Sequence, residues 1–305
     1  MIEKSNINLL EEMDYIAKGA AVEFEDILAL NARSEIALTN NVSDGCTSIA
    51  VMPPLSDSVY LSQNWDWRPA QSRSLIKLDI NQTKGTEIQM VTEAGIIGKI
   101  GFNNHGLGVC LNAIRANIIS DQLPVHIGLR EVLNTESINE AKEKIIDGKL
   151  GSSANILIAQ EKNNFQKAIN LELSPHKYDK KKIKNDYLYH TNHFCSDVII
   201  KDIGKENFNT VENSFVRLNR IEKLIKNEIE ERKLISELTI KKWLSDHKNE
   251  PFSICRHKNN SESIYDDTIT AFSIIMNLTN KHMYLIEGQP CQPLTEYRFN
   301  FNTKI

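Results

Sequence analysis

Apolar residues near the N-terminus follow a helical spacing. Along residues 7–17 they recur at steps of three and four, and residues 23–33 repeat the pattern after Gly19. Such steps place apolar side chains on one face of a helix, so we predict that the chain begins with helices. The first of these apolar faces comprises Ile7, Leu10, Met13, Ile16 and Ala17.

Beyond these helices the pattern changes to short apolar stretches separated by Gly, Pro, Asn and Asp. Residues 39–45 form a polar turn cluster, as expected of an exposed loop. Five stretches with the character of strands follow, at residues 46–52, 59–67, 74–80, 87–92 and 106–114. Their short connections indicate an antiparallel sheet.

The rest of the chain groups helices and strands in blocks. Helical patterns cover residues 124–133, 138–146, 213–230 and 235–246, and strand patterns cover 154–159, 167–173 and 187–190, with a final hairpin of 268–277 and 281–287. Blocks of this kind predict segregated layers rather than a repeating parallel βαβ array. Two stacked sheets with helices outside fit the order. No internal repeat or low-complexity linker interrupts it, so one domain is the simpler prediction.

Composition narrows the class of protein. The 305 residues are 41% hydrophobic and 25% charged, with a formal net charge of -4, which is ordinary for a globular protein with a large core. This charge gives no reason to expect nucleic acid as a partner. Lys and Arg cluster only at residues 177–184 and 217–242, which we interpret as solvated loops and helix faces.

Localisation is predicted from what the sequence lacks. No apolar run approaches the ~20 residues that span a bilayer, and the first residues do not resemble a secretory signal. Five widely scattered cysteines argue against a disulfide framework and for a reducing compartment. We therefore expect a cytoplasmic enzyme that has no membrane partner.

Residues 44–48 hold the most informative candidate for chemistry. Cys46 directly follows Gly45, between a polar loop and a buried-looking strand, and glycine leaves the preceding carbonyl uncrowded. Thiol attack on that carbonyl followed by hydrolysis would free the α-amine of Cys46. This amine, with a pKa of roughly 7.7–8.0, can act as the base for its own thiol. The alternative is a cysteine that simply begins a strand.

Five other polar residues are considered as candidates for a site. Asp66, between two tryptophans, either caps a turn or orients a nearby ammonium group. His190 and His193 stand three residues apart like a zinc pair, but no third ligand motif is near, so we expect no metal there. Asn192, between these histidines, can donate from its neutral amide to an oxyanion. A semi-buried Arg256 would normally have a carboxylate partner.

Five segments carry a family resemblance. They are residues 44–47, 63–66, 92–103, 190–193 and 251–256, and they occur in this order. Together they resemble the acyl-coenzyme A:6-aminopenicillanic acid acyltransferase family, also called isopenicillin-N acyltransferases. The resemblance extends from about residue 31 to the final hairpin. One of the five segments is twelve residues long, which makes the match specific.

The resemblance implies a fold and a maturation route. The fold is an α+β, four-layer αββα sandwich of the N-terminal-nucleophile (Ntn) hydrolases, with two stacked, mostly antiparallel sheets. The chain would be a precursor that cuts itself before Cys46. Residues 1–45 would then be a helical prosegment and residues 46–305 the catalytic part, and the two fragments would remain associated.

The resemblance also implies roles for single residues. Cys46 is the nucleophile, Asp66 the acid near its amine, and Asn192 the oxyanion donor. The backbone N–H of Trp67 is a second oxyanion donor, and Arg256 pairs with Asp66. Residues with a further implied part are Gly45 and Ser48 in self-processing, and Ser174 and Ser253 at the pocket.

Two reactions and one non-catalytic alternative follow. The implied activity is cleavage of a small N-acyl or peptide amide through a thioester on Cys46, with transfer to water, an amine or coenzyme A. An acyl-CoA-dependent N-acyltransferase of the 6-aminopenicillanic acid type is the alternative reaction. An uncleaved family member that only binds ligands is the alternative of another class. No cofactor is expected, apart from acyl-CoA as a possible acyl donor, and the sequence leaves the oligomeric state open.

Overall fold

The N-terminal segment is helical, as the apolar spacing predicts. The computed structural model describes residues 6–37, 45–82, 85–118, 120–208, 212–259 and 268–301. Helix α1 covers Ile7–Ala20, α2 covers Phe24–Asn31 and α3 covers Arg33–Ala37. The predicted turn cluster lies outside the described residues except for Gly45, with which the first strand begins.

The strands follow the predicted blocks with small shifts at their ends. In chain order they are β1 (Gly45–Val51), β2 (Tyr60–Trp67), β3 (Leu75–Asn81), β4 (Glu87–Glu93), β5 (Ile100–Asn103), β6 (Leu107–Ala113), β7 (Ala154–Lys162), β8 (Phe165–Leu173), β9 (Tyr178–Lys182), β10 (Tyr187–His190), β11 (Ile269–Asn277), β12 (His282–Glu287) and β13 (Thr295–Asn300). The sequence patterns did not predict β5, β9 or β13.

Three of the five remaining helices begin at a serine that caps the first turn. The five helices are α4 (Val125–Leu133), α5 (Ile138–Gly148), α6 (Asp197–Ile203), α7 (Glu212–Glu230) and α8 (Glu237–Leu244), with 3-10 turns at Pro69–Ser74 and Lys205–Asn207. The serine hydroxyls of Ser137, Ser196 and Ser236 accept hydrogen bonds from the first turns of α5, α6 and α8. These bonds satisfy backbone N–H groups that a helix start leaves free. The sequence patterns did not predict α6.

The strands form two antiparallel sheets. The order of the six-stranded sheet is β10-β1-β2-β11-β12-β13, and that of the seven-stranded sheet is β3-β4-β5-β6-β7-β8-β9. In the first sheet β2 lies between β1 and β11, so that Gly45 pairs with Asp66 and Cys46 with Trp65. This register brings residues that are distant along the chain together at the beginning of β1.

Three apolar cores separate four layers. One core fills the space between the sheets, where Leu61 and Phe272 meet Phe102 and Leu157. A second core covers the outer face of the seven-stranded sheet with α1, α2, α4 and α5. A third covers the outer face of the six-stranded sheet with α7 and α8. The architecture is therefore the predicted four-layer αββα sandwich.

The basic stretch 177–184 is not the loop that its charge suggested. Strand β9 lies within it, at one edge of the seven-stranded sheet, with most of its side chains exposed. Lysines are common on edge strands because they discourage pairing with another chain. A strand exposed on both faces lacks the apolar alternation by which strands are predicted.

The segment before Cys46 packs as part of the same fold. Arg130 of α4 donates two hydrogen bonds of 2.8 Å to the carboxylate of Glu12 in α1. The amide of Asn31 binds the backbone of Gly95 and Ile97. Division of the chain into residues 1–45 and 46–305 stays a prediction. Among the described residues, no helix combines the length and hydropathy needed to cross a membrane.

Candidate active site

Cys46 lies at the beginning of β1, buried between the two sheets. Its backbone N–H donates to Oδ1 of Asn192 at 2.7 Å. Its carbonyl accepts from Nη1 of Arg217 at 2.5 Å and from Nδ2 of Asn112 at 3.3 Å. Three side chains, one from β6, one from α7 and one from the loop after β10, therefore hold the backbone N–H and carbonyl of Cys46 in place.

The Asn192 amide has a defined orientation. Oδ1 accepts from the Cys46 N–H and from Nη2 of Arg217 at 3.0 Å, while Nδ2 donates to the carbonyl of Ala113 at 3.0 Å. Because both neighbours of Oδ1 are donors, only the oxygen can face them. A free α-amine on Cys46 would meet the same oxygen. The predicted oxyanion role requires the second hydrogen of Nδ2 and stays a prediction.

Arg217 is a site residue that the sequence reasoning missed. Its side chain is fully buried, at 0% exposed, although its basic cluster, residues 217–242, is interpreted from the sequence as solvated. That interpretation is wrong for Arg217. Its guanidinium also donates to Thr47 at 3.2 Å and to Asn213 at 3.0 Å. Its four-residue spacing from buried Ile221 places it on the buried face of α7, and this was the available signal.

Asp66 and Arg256 both face Gly45. A side chain at position 45 would place its Cβ 2.9 Å from Oδ2 of Asp66 and 3.3 Å from Nη1 of Arg256. Thr270 connects these two residues, because its hydroxyl donates to Oδ1 of Asp66 at 2.7 Å and accepts from the Arg256 N–H at 2.9 Å. A residue larger than glycine would therefore crowd the carboxylate. The ion pair between Asp66 and Arg256 stays a prediction.

Ser48 reaches Cys46 through another side chain. Its hydroxyl donates to Oδ1 of Asn112 at 2.6 Å, and Nδ2 of Asn112 donates to the Cys46 carbonyl. Asn112 is a second residue that sequence reasoning missed, although an asparagine in an otherwise apolar strand is a visible signal. Trp67 is the last residue of β2 and directly follows Asp66. Help in self-cleavage from Ser48 and an oxyanion contact from Trp67 stay predictions.

The two predicted pocket serines lie in different surroundings. The Ser174 hydroxyl accepts from the Lys177 N–H at 3.0 Å, and so it stabilises the turn after β8. The Ser253 hydroxyl donates to the carbonyl of Cys255 at 2.6 Å. Ser253 therefore shapes the segment that carries Arg256, whereas the hydroxyl contacts of Ser174 are within its own turn.

His190 and His193 contact different partners. Nε2 of His190 lies 3.1 Å from Oε1 of Glu172, and Nδ1 of His193 lies 2.7 Å from Oγ of Ser214. The two ring centroids are 6.4 Å apart. Each ring has its own hydrogen-bond partner, and among the described residues the two rings do not fall into one group of potential metal ligands.

A cluster of charged side chains lies beside the indole rings of Trp65 and Trp67. Lys99, 1% exposed, pairs with Glu93, and its Nζ lies 3.5 Å from the ring centroid of Trp65. Arg33 pairs with the same carboxylate and lies 5.4 Å over the ring of Trp67. Burial lowers the pKa of Lys99 to about 7. A thiolate on Cys46 would favour the charged form of this lysine.

We expect Glu93 to make the folded state sensitive to acid. Burial raises the pKa of its carboxyl, but the charges of Lys99 and Arg33 outweigh burial and lower the pKa from 4.5 to about 2. A lowered folded-state pKa stabilises the fold above pH 4.5, and this contribution is lost as the pH falls toward 2. Urea midpoints measured at several pH values should therefore fall steeply across this window.

A variant without the Glu93 carboxylate tests whether this residue causes the acid sensitivity. Glu93→Gln should be less stable than the parent at pH 7, and its midpoint should fall less steeply with acid. The exposed Glu143→Gln should keep the parent profile. If the urea midpoints of Glu93→Gln and the parent fell equally steeply with acid, Glu93 would not be the source of the acid sensitivity.

Comparison with solved structures defines the class of fold. The conjugated bile acid hydrolase of Clostridium perfringens, determined as a mutant, superposes with a TM-score of 0.59 and 13% identity over 85% of this chain and 93% of that chain. The penicillin V acylase of Agrobacterium tumefaciens gives a TM-score of 0.55 and 9% identity over 85% of this chain and 86% of that one. The fold is that of the Ntn hydrolases.

Sequence comparison then shows the family. Residues 55–292 match the family model of acyl-coenzyme A:6-aminopenicillanic acid acyl-transferase. The chain is also 33% identical, over 296 residues, to the 40 kDa form of acyl-coenzyme A:6-aminopenicillanic-acid-acyltransferase from Emericella nidulans, across 96% of this chain and 78% of the fungal protein. The chain belongs to this acyltransferase family and is therefore an enzyme.

Proposed function

We propose that the chain is a self-processing cysteine Ntn enzyme that cleaves small N-acyl or peptide amides. The contacts that fix the backbone of Cys46 are the observation that carries this proposal. Its N–H is bound to Asn192 and its carbonyl to Arg217 and Asn112, while the preceding Gly45 faces Asp66 and Arg256. The Gly45–Cys46 peptide unit, whose N–H is fixed and whose carbonyl belongs to glycine, is suited to attack by the adjacent thiol.

Self-cleavage begins with the Cys46 thiol. Its sulfur forms a bond to the carbonyl carbon of Gly45, and the peptide C–N bond breaks while the thiol proton moves to the departing nitrogen. The product is a thioester with a free α-amine on Cys46. Water then breaks the C–S bond, which leaves a carboxylate on Gly45 and restores the thiol. Asp66 is our candidate for holding the new ammonium, because its Oδ2 faces Gly45.

Substrate cleavage repeats the same chemistry. The α-amine takes the thiol proton, and the thiolate attacks the substrate carbonyl. Hydrogen-bond donors near Cys46 would stabilise the oxyanion, and Asn192 and the Trp67 N–H are the candidates. The ammonium returns its proton to the leaving amine as the C–N bond breaks. A thioester on Cys46 remains, and water releases the acyl group as an acid.

The names of the relatives suggest two different acceptors for the acyl group. The structural neighbours are named a hydrolase and an acylase, which favours water as the acceptor. The fungal relative is named an acyltransferase that uses acyl-coenzyme A and 6-aminopenicillanic acid. That name supports acyl transfer from coenzyme A to an amine as the second candidate. An uncleaved protein that only binds such molecules is the non-catalytic alternative.

A screen of acyl donors tests the proposal. Purified protein is incubated with N-acyl amino acids, simple N-acyl amides and acyl-coenzyme A thioesters. The masses of the products and of the protein fragments are then determined by mass spectrometry. We expect release of the acid or a transferred amide, and a hydroxylamine-sensitive acyl adduct on the fragment that begins with Cys46. Turnover by a chain that retains the Gly45–Cys46 bond would contradict the mechanism, and an intact chain without turnover would favour the binding alternative.

A further inference from the structure

Four potential metal ligands converge near Arg256. They are His247, Cys255, His257 and Cys291, and one ligand atom from each lies within 4.8 Å of all the others. His247 follows α8, Cys255 and His257 flank Arg256, and Cys291 lies between β12 and β13. Three separate segments of the chain therefore contribute to one cluster, which is distinct from His190 and His193.

Four of the six distances among these atoms are close to the edges of a tetrahedral site. The two Nε2 atoms of the histidines are 3.1 Å apart, and the two Sγ atoms are 3.6 Å apart. Nε2 of His257 lies 3.7 Å from Sγ of Cys255 and 3.2 Å from Sγ of Cys291. A tetrahedron with Zn–S and Zn–N bonds of ordinary length has edges of about 3.3 Å between nitrogens and about 3.8 Å between sulfurs.

The donor set favours zinc over other common cations. Two thiolates and two imidazoles are soft to borderline ligands, whereas Mg²⁺ and Ca²⁺ require oxygen. We propose that His247, Cys255, His257 and Cys291 bind one Zn²⁺ in a closed structural site. Four protein ligands fill the tetrahedron, so the ion would bind no water and would have no direct part in hydrolysis. This proposal departs from the sequence-based expectation of no metal.

The site would fix the segment that presents Arg256. Two ligands are its immediate neighbours in sequence, and the backbone of Arg256 is bound to Thr270, which in turn contacts Asp66. A metal that joins this segment to His247 and Cys291 would restrict movement of the guanidinium beside Gly45. Only this positioning effect rests on the proposed function, since zinc binding itself requires no catalysis.

Metal content of the full-length protein tests the site directly. After growth with zinc and removal of loosely bound ions, we expect inductively coupled plasma mass spectrometry to find about one zinc per chain. Replacement by Co²⁺ should produce the intense visible bands of tetrahedral cobalt and thiolate-to-cobalt charge transfer. A strong chelator should remove the ion and lower the thermal midpoint. None of these measurements depends on activity.

Matched variants locate the ion. His257→Ala and Cys291→Ser, both at exposed positions, should lose the zinc and the cobalt spectrum while circular dichroism stays like that of the parent. Cys195→Ser should keep both, although Cys195 lies in a second possible ligand group with Glu172 and His190. Loss of the zinc in Cys195→Ser, with the zinc retained in the other two variants, would overturn the proposal. So would a wild-type protein that neither contains nor takes up zinc, or one in which a Cys255–Cys291 disulfide is found instead.

Discussion

Replacing Cys46 with alanine will leave the chain uncut and inactive. The variant should have one mass, that of the full 34.7 kDa chain, whereas the parent should yield two fragments that meet at Gly45 and Cys46. Alanine supplies neither a nucleophile for the Gly45 carbonyl nor a thiol for the substrate. Turnover should therefore fall by at least ~10⁴-fold. Intact-mass analysis and an amide-cleavage assay measure the two effects independently.

A matched cysteine variant separates chemistry from general damage. Cys195 is an exposed thiol, and Cys195→Ala should still be cut and should retain activity. Cys46→Ser keeps a smaller, weaker nucleophile at the same place and should cut slowly if at all. Continued cleavage between residues 45 and 46 in Cys46→Ala would remove this thiol from the mechanism.

Replacing Arg217 with methionine will impair both maturation and catalysis. Methionine has a similar length, but it cannot donate to the Cys46 carbonyl or to Asn192. Both groups would then move, and a small misplacement of reacting atoms costs on the order of 10² in rate. We expect slower self-cleavage and a kcat lower by roughly 10²-fold, with a small change in KM. Buried acceptors that lose their donors should lower stability by about 3 kcal/mol.

The pH profile of this variant distinguishes positioning from mere structural support. The Arg217 cation and the Cys46 nitrogen contact the same oxygen, Oδ1 of Asn192, so the cation should disfavour a protonated α-amine there. Loss of the charge should shift the acid limb of kcat/KM to higher pH. Arg298→Met, at an exposed arginine that pairs with Glu237, should leave the limb unchanged. An unchanged limb in Arg217→Met would show that the arginine only supports the fold.

Most of the fold could be predicted from the sequence because its elements have regular periodicity. Most strands of the two sheets have at least one buried face, and α4, α5, α7 and α8 each have an apolar stripe. Strands β9 and β13 could not be predicted in this way. They lie at sheet edges with most side chains exposed, so alternation of apolar and polar residues does not mark them.

The predicted site was incomplete for a different reason. Local motifs identify residues that stand next to a reactive group along the chain, as Gly45 stands next to Cys46. Arg217 reaches the Cys46 carbonyl across 171 residues of sequence, and Asn112 reaches it across 66. The ligand cluster depends on Cys291, which is 34 residues beyond His257. Only tertiary packing brings these groups together.

Packing of the N-terminal helices has a consequence for refolding. Leu9, Met13 and Ile27 lie in the same core as α4 and α5, so the segment before Cys46 is part of the interior. Once the Gly45–Cys46 bond is cut, no covalent link holds that segment there. Folding of the precursor is a first-order process, whereas reassembly of the processed pieces is second order and depends on their concentration. Maturation would thus convert a single-chain fold into an obligate complex of two fragments. After denaturation at low concentration, this complex would not readily re-form.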